Sequence, residues 1–328
     1  MTEQDLLTAA RGGDEDAFAQ LIGPYRSELG AHCYRMLGSI HDAEDAVQEA
    51  LLRAWRGLAR FEARSSLRSW LYTIATNACL RAIERRPKRV LPIDYGPAAS
   101  DPHAPTDPPL VESVWVEPYP GPAARYEERE SVELAFIAAL QHLPAKQRAV
   151  LILRDVLGFS GAEVAEALDT NPDAVYSALQ RAHKTVEQKL PERTQQATLH
   201  TLGEDKLRTI VNGYVDAWER HDVDALAAML TEDAALTMPP TPTWFRGRDT
   251  IMTFLQEWPL AAHNRWRVVP TQANGQPAFA HYIWDDKPQA FTRGELAVLT
   301  LDGDKIAELI VFRDPELLEH FGLPTHHR

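Results

Sequence analysis

Prolines at positions 92, 97, 102, 105, 108, 109, 118, 120 and 122 crowd one stretch of this chain. Proline has no amide proton to donate and a fixed φ, so neither a helix nor a strand ladder can run through such a segment. A chain of 328 residues interrupted in this way is expected to fold as two or three separate bodies. Asp94, Asp101, Asp107, Glu112 and Glu117 make the stretch acidic, and residues 91–125 read as an extended linker. Within it LVESVWVEPYP alternates apolar residues; a strand that docks in a groove and a plain spacer both remain open readings.

Residues 1–90 read as helical throughout. Leu6, Leu7, Ala10, Phe18, Leu21, Ile22, Leu29, Cys33 and Leu37 recur on apolar faces, with a break at Gly12-Gly13-Asp14. Two amphipathic helices follow. In the first, Ala43, Ala46, Val47, Ala50, Leu51 and Ala54 form the apolar stripe, and Asp42, Asp45, Gln48, Glu49 and Leu52 fall on another side. In the second, Trp70, Leu71, Ile74, Ala78 and Ile83 form the expected packing face, and Arg81, Arg85, Arg86, Lys88 and Arg89 crowd its end. An acidic face one loop away from a basic cluster suits two partners of opposite charge, a basic protein and a nucleic acid. A solvated helical hairpin with ordinary charge scatter is the alternative.

Residues 126–192 become helical again. Leu143-Pro144 begins one helix, and Gly158 is a C-terminal stop. Ser160-Gly161-Ala162-Glu163 is a capping box. Asp169-Thr170-Asn171 makes a tight turn into a helix with Asn171 as N-cap and Pro172 at its first position. That last helix buries Val175, Leu179, Ala182 and Val186 and leaves Tyr176, Ser177, Gln180, Arg181 and Lys184 outward. A capped helix, a turn and a polar-faced second helix form a helix-turn-helix pattern. Residues 193–203 read as a second, polar linker. Residues 204–328 read as helices followed by strands of period two, with hairpin turns at Asn274-Gly275 and Asp302-Gly303, giving a curved sheet wrapped on helices.

An apolar share of 45% places the chain among globular proteins. No apolar run reaches the length of a membrane span and Met1–Asp5 shows no signal-peptide pattern, so a cytoplasmic protein without membrane partners is expected. Cys33 and Cys79 are expected as buried, reduced thiols. A net charge of −13 does not exclude nucleic acid, because phosphate binding needs only local positive potential, as at Arg81–Arg89.

DAEDAVQEALLRAW followed by SLRSWLYTIATN resembles region 2 of the extracytoplasmic-function group of sigma-70 factors, bacterial initiation subunits of RNA polymerase. The helix-turn-helix is similar to sigma region 4, and residues 204–328 resemble SnoaL-like members of the NTF2-like superfamily. Sigma factors joined to such a domain form the SigG and SigJ types, and the SigG type is the nearer resemblance. The fold implied is multidomain: an all-α region 2 bundle (1–90), an all-α helix-turn-helix region 4 (126–192) and an α+β NTF2-like cone (204–328). The function implied is promoter-specific initiation, with the C-terminal domain restraining or licensing the other two by intramolecular contact.

The resemblance assigns roles. Asp42, Asp45, Gln48, Glu49 and Leu52 dock the β′ coiled coil of core polymerase, and the β flap is a further contact. Phe61, Ser65, Ser66, Trp70, Tyr72, Asn77, Arg81, Arg85 and Arg86 hold the melted −10 strand, aromatic faces stacking on bases; Trp70 also suits a core position. Asp173, Tyr176, Ser177, Gln180, Arg181 and Lys184 face the −35 element, with fewer basic residues than relatives usually carry. The linker would follow polymerase channels near the RNA path. In the cone, Tyr214, Trp218, Met229, Met238, Trp244, Trp258, His281 and Trp284 are candidate pocket residues, and His281 is either structural or a base. No metal signature, nucleophile motif or cofactor site is read, and a small-molecule ligand stays open. The rival readings are a ligand sensor or enzyme in residues 204–328 and a one-component repressor.

Overall fold

The computed structural model describes residues 2–62, 65–110, 114–120, 133–191, 193–287 and 289–327. The chain divides into two units: a helical one, Met1–Arg89 with Ala135–Leu190, and a C-terminal one, Val90–Leu134 with Pro191–Arg328. In the helical unit, α1 (Glu3–Arg11) starts on a Thr2–Asp5 capping box and α2 (Glu15–Ile22) on Asp14, across the expected glycine break. α3 (Arg26–Leu37) closes at Gly38, whose φ of 68° is the left-handed conformation favoured there. α4 (Ile40–Gly57) is capped by Ser39, and α5 (Leu67–Ile83) by Ser66.

α4 buries Ala43, Ala46, Ala50, Leu51 and Ala54, the stripe the sequence predicts. α5 departs from expectation. Its buried residues include Leu67, Leu71, Tyr72, Ala75, Thr76, Ala78 and Cys79, while Trp70, Ile74 and Ile83 are only half-buried. The physical reason is that α5 is packed from two sides, by α3 and α4 and by the second set of helices, so no single stripe describes it. Those helices are α6 (Leu134–Gln141), α7 (Ala145–Leu151) with a π-turn at Ile152–Val156, α8 (Gly161–Ala167) on the Ser160–Glu163 capping box, and α9 (Pro172–Glu187) on Asn171. Gly158, at φ 73°, ends the segment after α7 as expected.

Arg148 of α7 fastens the two sets together. Its guanidinium donates to Met36 O at the end of α3, to Gln141 Oε1 at 2.5 Å, and to Gln141 O and Leu143 O at 3.2 and 3.3 Å. Gln141 Nε2 in turn donates to Arg35 O at 3.4 Å. A cation placed on the terminal carbonyls of α3 satisfies acceptors that the helix cannot satisfy itself.

The C-terminal unit carries α10 (Gln195–Leu202), α11 (Glu204–Glu219), α12 (Val223–Met229) and α13 (Arg248–Glu257) against a sheet. The strands are β1 (Leu230–Thr237), β2 (Trp244–Arg246), β3 (Trp266–Ala273), β4 (Gln276–Asp285), β5 (Ala290–Asp302), β6 (Lys305–Phe312) and β7 (His326–His327). Their order is β2-β1-β6-β5-β4-β3, with β7 on β5; β1 and β6 pair in parallel and the other pairs are antiparallel. Asn274 and Gly275, at φ 55° and 69°, form the expected two-residue hairpin turn. Tyr214, Trp218, Leu226, Phe254, Phe279 and Leu299 are among the residues of the core between helices and sheet.

Two segments read as linkers are built into this unit. Val90 bridges Trp115, and Trp115 Nε1 donates to Pro240 O at 2.9 Å. Tyr119 N donates to Asn274 Oδ1 at 2.8 Å while Asn274 N donates to Tyr119 O at 2.9 Å. Trp244 Nε1 reaches Gly96 O, Ala99 N reaches Trp244 O, and Asp107 exchanges bonds with Thr243. Trp115 and Val116 are buried, which stabilises docking by about 2 kcal/mol each. The described part of the proline-rich stretch is therefore a docked strap; residues 111–113 and 121–132 lie outside the described residues. Residues 195–202, read as polar spacer, are helix α10, capped by Glu133 and pinned to β5 by Gln195, whose amide exchanges bonds with both Leu301 backbone groups. No helix among the described residues is long and apolar enough to cross a membrane.

Candidate protein and nucleic-acid interfaces

On α4 the residues Asp45, Gln48, Glu49 and Leu52 stand at i, i+3, i+4 and i+7, one helical face. Asp45 is 75% exposed, Gln48 is exposed, Glu49 is 46% exposed and Leu52 is 52% exposed. Arg53 pairs with Glu49 one turn on, and its hydrogen bond holds the Glu49 carboxyl below the usual range. Asp42 must be corrected. It is buried, and its carboxylate is shared by Arg86 and by the buried Arg89, whose Nη2 lies 2.5 Å away. It pins the segment after α5 to the start of α4 and offers nothing outward. The helical period placed it one turn before Asp45; the sequence carried no sign that arginines 44 and 47 residues later would enclose it.

The expected −10 residues separate into two groups. Ser66 and Arg85 are exposed, Ser65, Trp70 and Arg81 are half-buried, and Arg86 is exposed but tied to Asp42. Phe61 is buried beneath Arg11, its ring 4.8 Å from that of Trp70. Tyr72 is buried as well; its hydroxyl donates to Glu28 at 3.2 Å, and its ring meets His32 and Phe159 edge-on at 5.2 and 5.4 Å. Burial followed by the Glu28 carboxylate raises the Tyr72 pKa. Asn77 donates to Thr73 O at 2.9 Å and to Ala167 O, in α8, at 3.5 Å. Phe61 and Tyr72 therefore present no free aromatic face in this arrangement. Residues 63 and 64 of the loop lie outside the described residues.

On α9, Asp173, Tyr176, Ser177, Gln180, Arg181 and Lys184 are all exposed and share the face opposite buried Val175, Ala182 and Val186. Tyr176 packs over Gly161, where a β-carbon would stand 3.1 Å from its hydroxyl. Arg154 lies 6.0 Å from the Tyr176 ring, fixing the helix-turn-helix corner.

In the C-terminal unit Tyr214, Trp218 and His281 come together, but the expected pocket residues do not all converge on one site. Trp258 is 45% exposed just beyond α13, Trp284 is half-buried beneath Arg265 at a sheet end, and Trp244 turns its indole to the strap. Tyr214, Trp218 and Met238 belong to the core, with Met229 packed against it. His281 is fully buried, its Nε2 3.3 Å from Tyr214 Oη and its Nδ1 3.3 Å from Glu295 Oε1, with the Trp218 ring at 4.5 Å. The bulge at Gly294 aims Glu295 there: a β-carbon on Gly294 would stand 2.8 Å from His281 O. Burial, then the Glu295 charge, drives the Tyr214 pKa well above its ordinary value. Asn274 was read only as a turn residue; that its side chain also receives the strap left no local signal.

Residues 21–89 match the sigma-70 region 2 family, 133–186 the sigma-70 region 4 family, and 211–309 the SnoaL-like domain. The chain belongs to the extracytoplasmic-function (ECF) RNA polymerase sigma factors. It is 42% identical over 326 residues to the ECF RNA polymerase sigma factor SigG of Mycobacterium tuberculosis, covering 96% of this chain and 85% of that one. The ECF RNA polymerase sigma factor SigW of Bacillus subtilis is 29% identical over 186 residues, 56% of this chain and 94% of its own. The crystal structure of the M. tuberculosis extracytoplasmic-function sigma factor SigJ shares the fold, with a TM-score of 0.56 at 20% identity over 92% of this chain and 98% of that one.

Proposed function

We propose that this chain is an alternative sigma factor that joins core RNA polymerase in the cytoplasm, directs it to particular promoters and helps to melt the −10 region. The observation that carries the assignment of surfaces is the exposed α4 stripe of Asp45, Gln48, Glu49 and Leu52. Carboxylates on one helical face form charge-assisted pairs with a basic partner helix and steer the encounter, while Leu52 supplies desolvated apolar contact. The α9 stripe is shaped for the major groove, with Gln180 and Arg181 directed to base edges and Lys184 to phosphate. Trp70, Ser65, Ser66, Arg81 and Arg85 remain for the −10 strand. Engaging Tyr72 or Asn77 as well requires α8 and the Phe159 turn to leave α5.

The C-terminal unit acts as a regulator and not as an enzyme. Both ring nitrogens of His281 face groups of the same core, Tyr214 and Glu295, which suits a packed interior. The regulatory handle is the strap, which the unit holds through Pro240, Asn274 and Trp244.

Co-purification with core polymerase tests the docking surface. Asp45→Lys with Glu49→Lys is expected to abolish co-purification without unfolding the chain; retention at wild-type levels would remove α4 from the interface. Run-off transcription with Trp115→Ala tests the strap, and unchanged promoter output together with unchanged core affinity would remove its regulatory role.

A further inference from the structure

Arg68 of α5 lies against two aromatic rings. Its Cζ is 4.9 Å from the centre of the Tyr72 ring and 5.0 Å from that of Phe159, and the two rings meet edge-on at 5.4 Å. Glu28 of α3 orients the arginine: its Oε2 accepts from Arg68 Nε at 3.4 Å and from Tyr72 Oη at 3.2 Å. Arg68 and Glu28 remain open to solvent, with 37% and 52% of their side chains exposed, while both rings are buried. Phe159 is the outsider in this group. It belongs to the turn between α7 and α8, reached through Gly158 at φ 73°. The turn is fixed from its own side, since Phe159 N donates to Leu153 O at 2.9 Å and Phe159 O accepts from Arg154. What it adds to α5 is one flat apolar ring. The same seam covers Asn77, an expected −10 residue, which donates to Ala167 O of α8 at 3.5 Å.

We propose that Arg68, Tyr72 and Glu28 form a slot for one unstacked nucleobase of single-stranded DNA, and that Phe159 fills the place of the base while the α7–α8 turn lies on α5. Proteins hold a base outside the duplex by stacking it on aromatic rings and guanidinium planes, and a phenylalanine ring presents the same flat apolar face. Arginine meets both demands of such a site, a planar face for the base and a permanent charge for the adjoining phosphate. Departure of Phe159 uncovers the slot and Asn77 together, so the melted strand and the α7–α8 turn compete for one surface. This rests on the reading that α5 carries the −10 strand, and adds Arg68 to that surface.

Fluorescence anisotropy of the full chain without polymerase tests this, with a short labelled oligo(dT) and an abasic strand of equal phosphate number at matched ionic strength. Phe159→Ala is expected to tighten oligo(dT) by about tenfold, the stacking of one base, and to leave the abasic strand unchanged. Phe159→Leu keeps apolar volume for folding and loses only the ring face; it should shift oligo(dT) in the same direction by less, and a urea titration checks that both variants retain the helical unit. Arg68→Lys added to either variant keeps the charge and loses the plane, so the gain on oligo(dT) should vanish while the abasic strand binds as before. Wild-type affinity for oligo(dT) in both Phe159 variants overturns the proposal. An equal gain on the abasic strand overturns the base slot and makes the covered surface a phosphate site, and a gain that survives Arg68→Lys removes Arg68 from it. Co-purification with core polymerase on the same preparations separates the two readings: chains that join core yet show no gain on oligo(dT) sink the slot alone, and a wild-type chain that does not join core sinks the reading beneath it.

Discussion

At the centre of the helical unit lie Asp42, Arg89 and Arg148; at the centre of the C-terminal unit lie Tyr214, Trp218 and Phe279. The first group pins the segment after α5 to α4 through an ion pair and fastens two sets of helices through the Arg148 bonds to backbone carbonyls, polar contacts that water is able to replace. The second group closes one apolar core, for which water is no substitute. The contrast teaches where the molecule is built to change. A polar seam parts and re-forms at modest cost because its groups are solvated once exposed, whereas an apolar core opens only by unfolding.

Truncation in the apolar core should have the largest effect. Trp218→Ala removes a fully buried ring between Tyr214 and Trp266 and should cost about 4 kcal/mol. Urea titration should show the loss in the C-terminal transition alone; an equal shift of the helical transition would erase the contrast. Arg148→Ala should come next, at about 3 kcal/mol, because the carbonyls of Met36, Gln141 and Leu143 lose a charged donor. The sharper readout is hydrogen exchange in α5, which should accelerate if the seam and not the helices themselves has failed. Protection unchanged in α5 would mean that Arg148 only stabilises its own corner.

The two units should also respond to pH in opposite directions. His32 is fully buried beside Thr76, and burial with the Arg35 charge lowers its pKa to about 3. The unfolded chain gains a proton below pH 6.5 that the folded unit refuses, so the helical unit loses stability as pH falls. Glu308 on β6 behaves conversely: burial and the Asp94 charge raise its pKa to about 7, with Thr300 and Arg246 opposing. Between pH 4.5 and 7 the folded C-terminal unit holds a proton that the unfolded chain has lost, so its stability is greatest at the acid end and falls as pH rises. Each effect should amount to about 2 kcal/mol across that window, allowing for the partial exposure of Glu308. Urea titrations at pH 5 and pH 7.5 check this, and Glu308→Gln should remove its share of the slope. Parallel shifts of both transitions would contradict the assignment of these two groups.

How far the sequence discloses this structure depends on how many sides of an element are covered. α4 is covered on one side, and its apolar stripe and exposed acids could be read directly. α5 is covered on two, so a single stripe did not show that Tyr72 and Thr76 would also be buried. Local chemistry was equally legible at the Ser160–Glu163 box, the Asn171 cap and the Asn274-Gly275 turn, where the partners lie within a few residues. Asp42 with Arg89, Arg148 with Met36 and Trp115 with Pro240 were not, because each joins residues 47, 112 and 125 positions apart. The prolines ruled out a ladder but could not show that Trp115 and Val116 between them would be buried.

The smallest expected effect concerns the strap, which lies between the two cases: its tryptophan is buried, but its end is held by hydrogen bonds. Asn274→Gly removes one of them. Glycine keeps the positive φ of 55° that the turn demands and keeps the backbone donor to Tyr119 O, while the Oδ1 acceptor for Tyr119 N is lost. The cost should be about 1 kcal/mol, confined to local opening near Tyr119, with the global transition of the C-terminal unit unmoved. Hydrogen exchange at the Tyr119 amide reads this directly. Faster exchange there alone would place the strap with the separable contacts of the helical seam; faster exchange spreading into β3 and β4 would place it with the apolar core, as a part that cannot leave without unfolding what lies beneath.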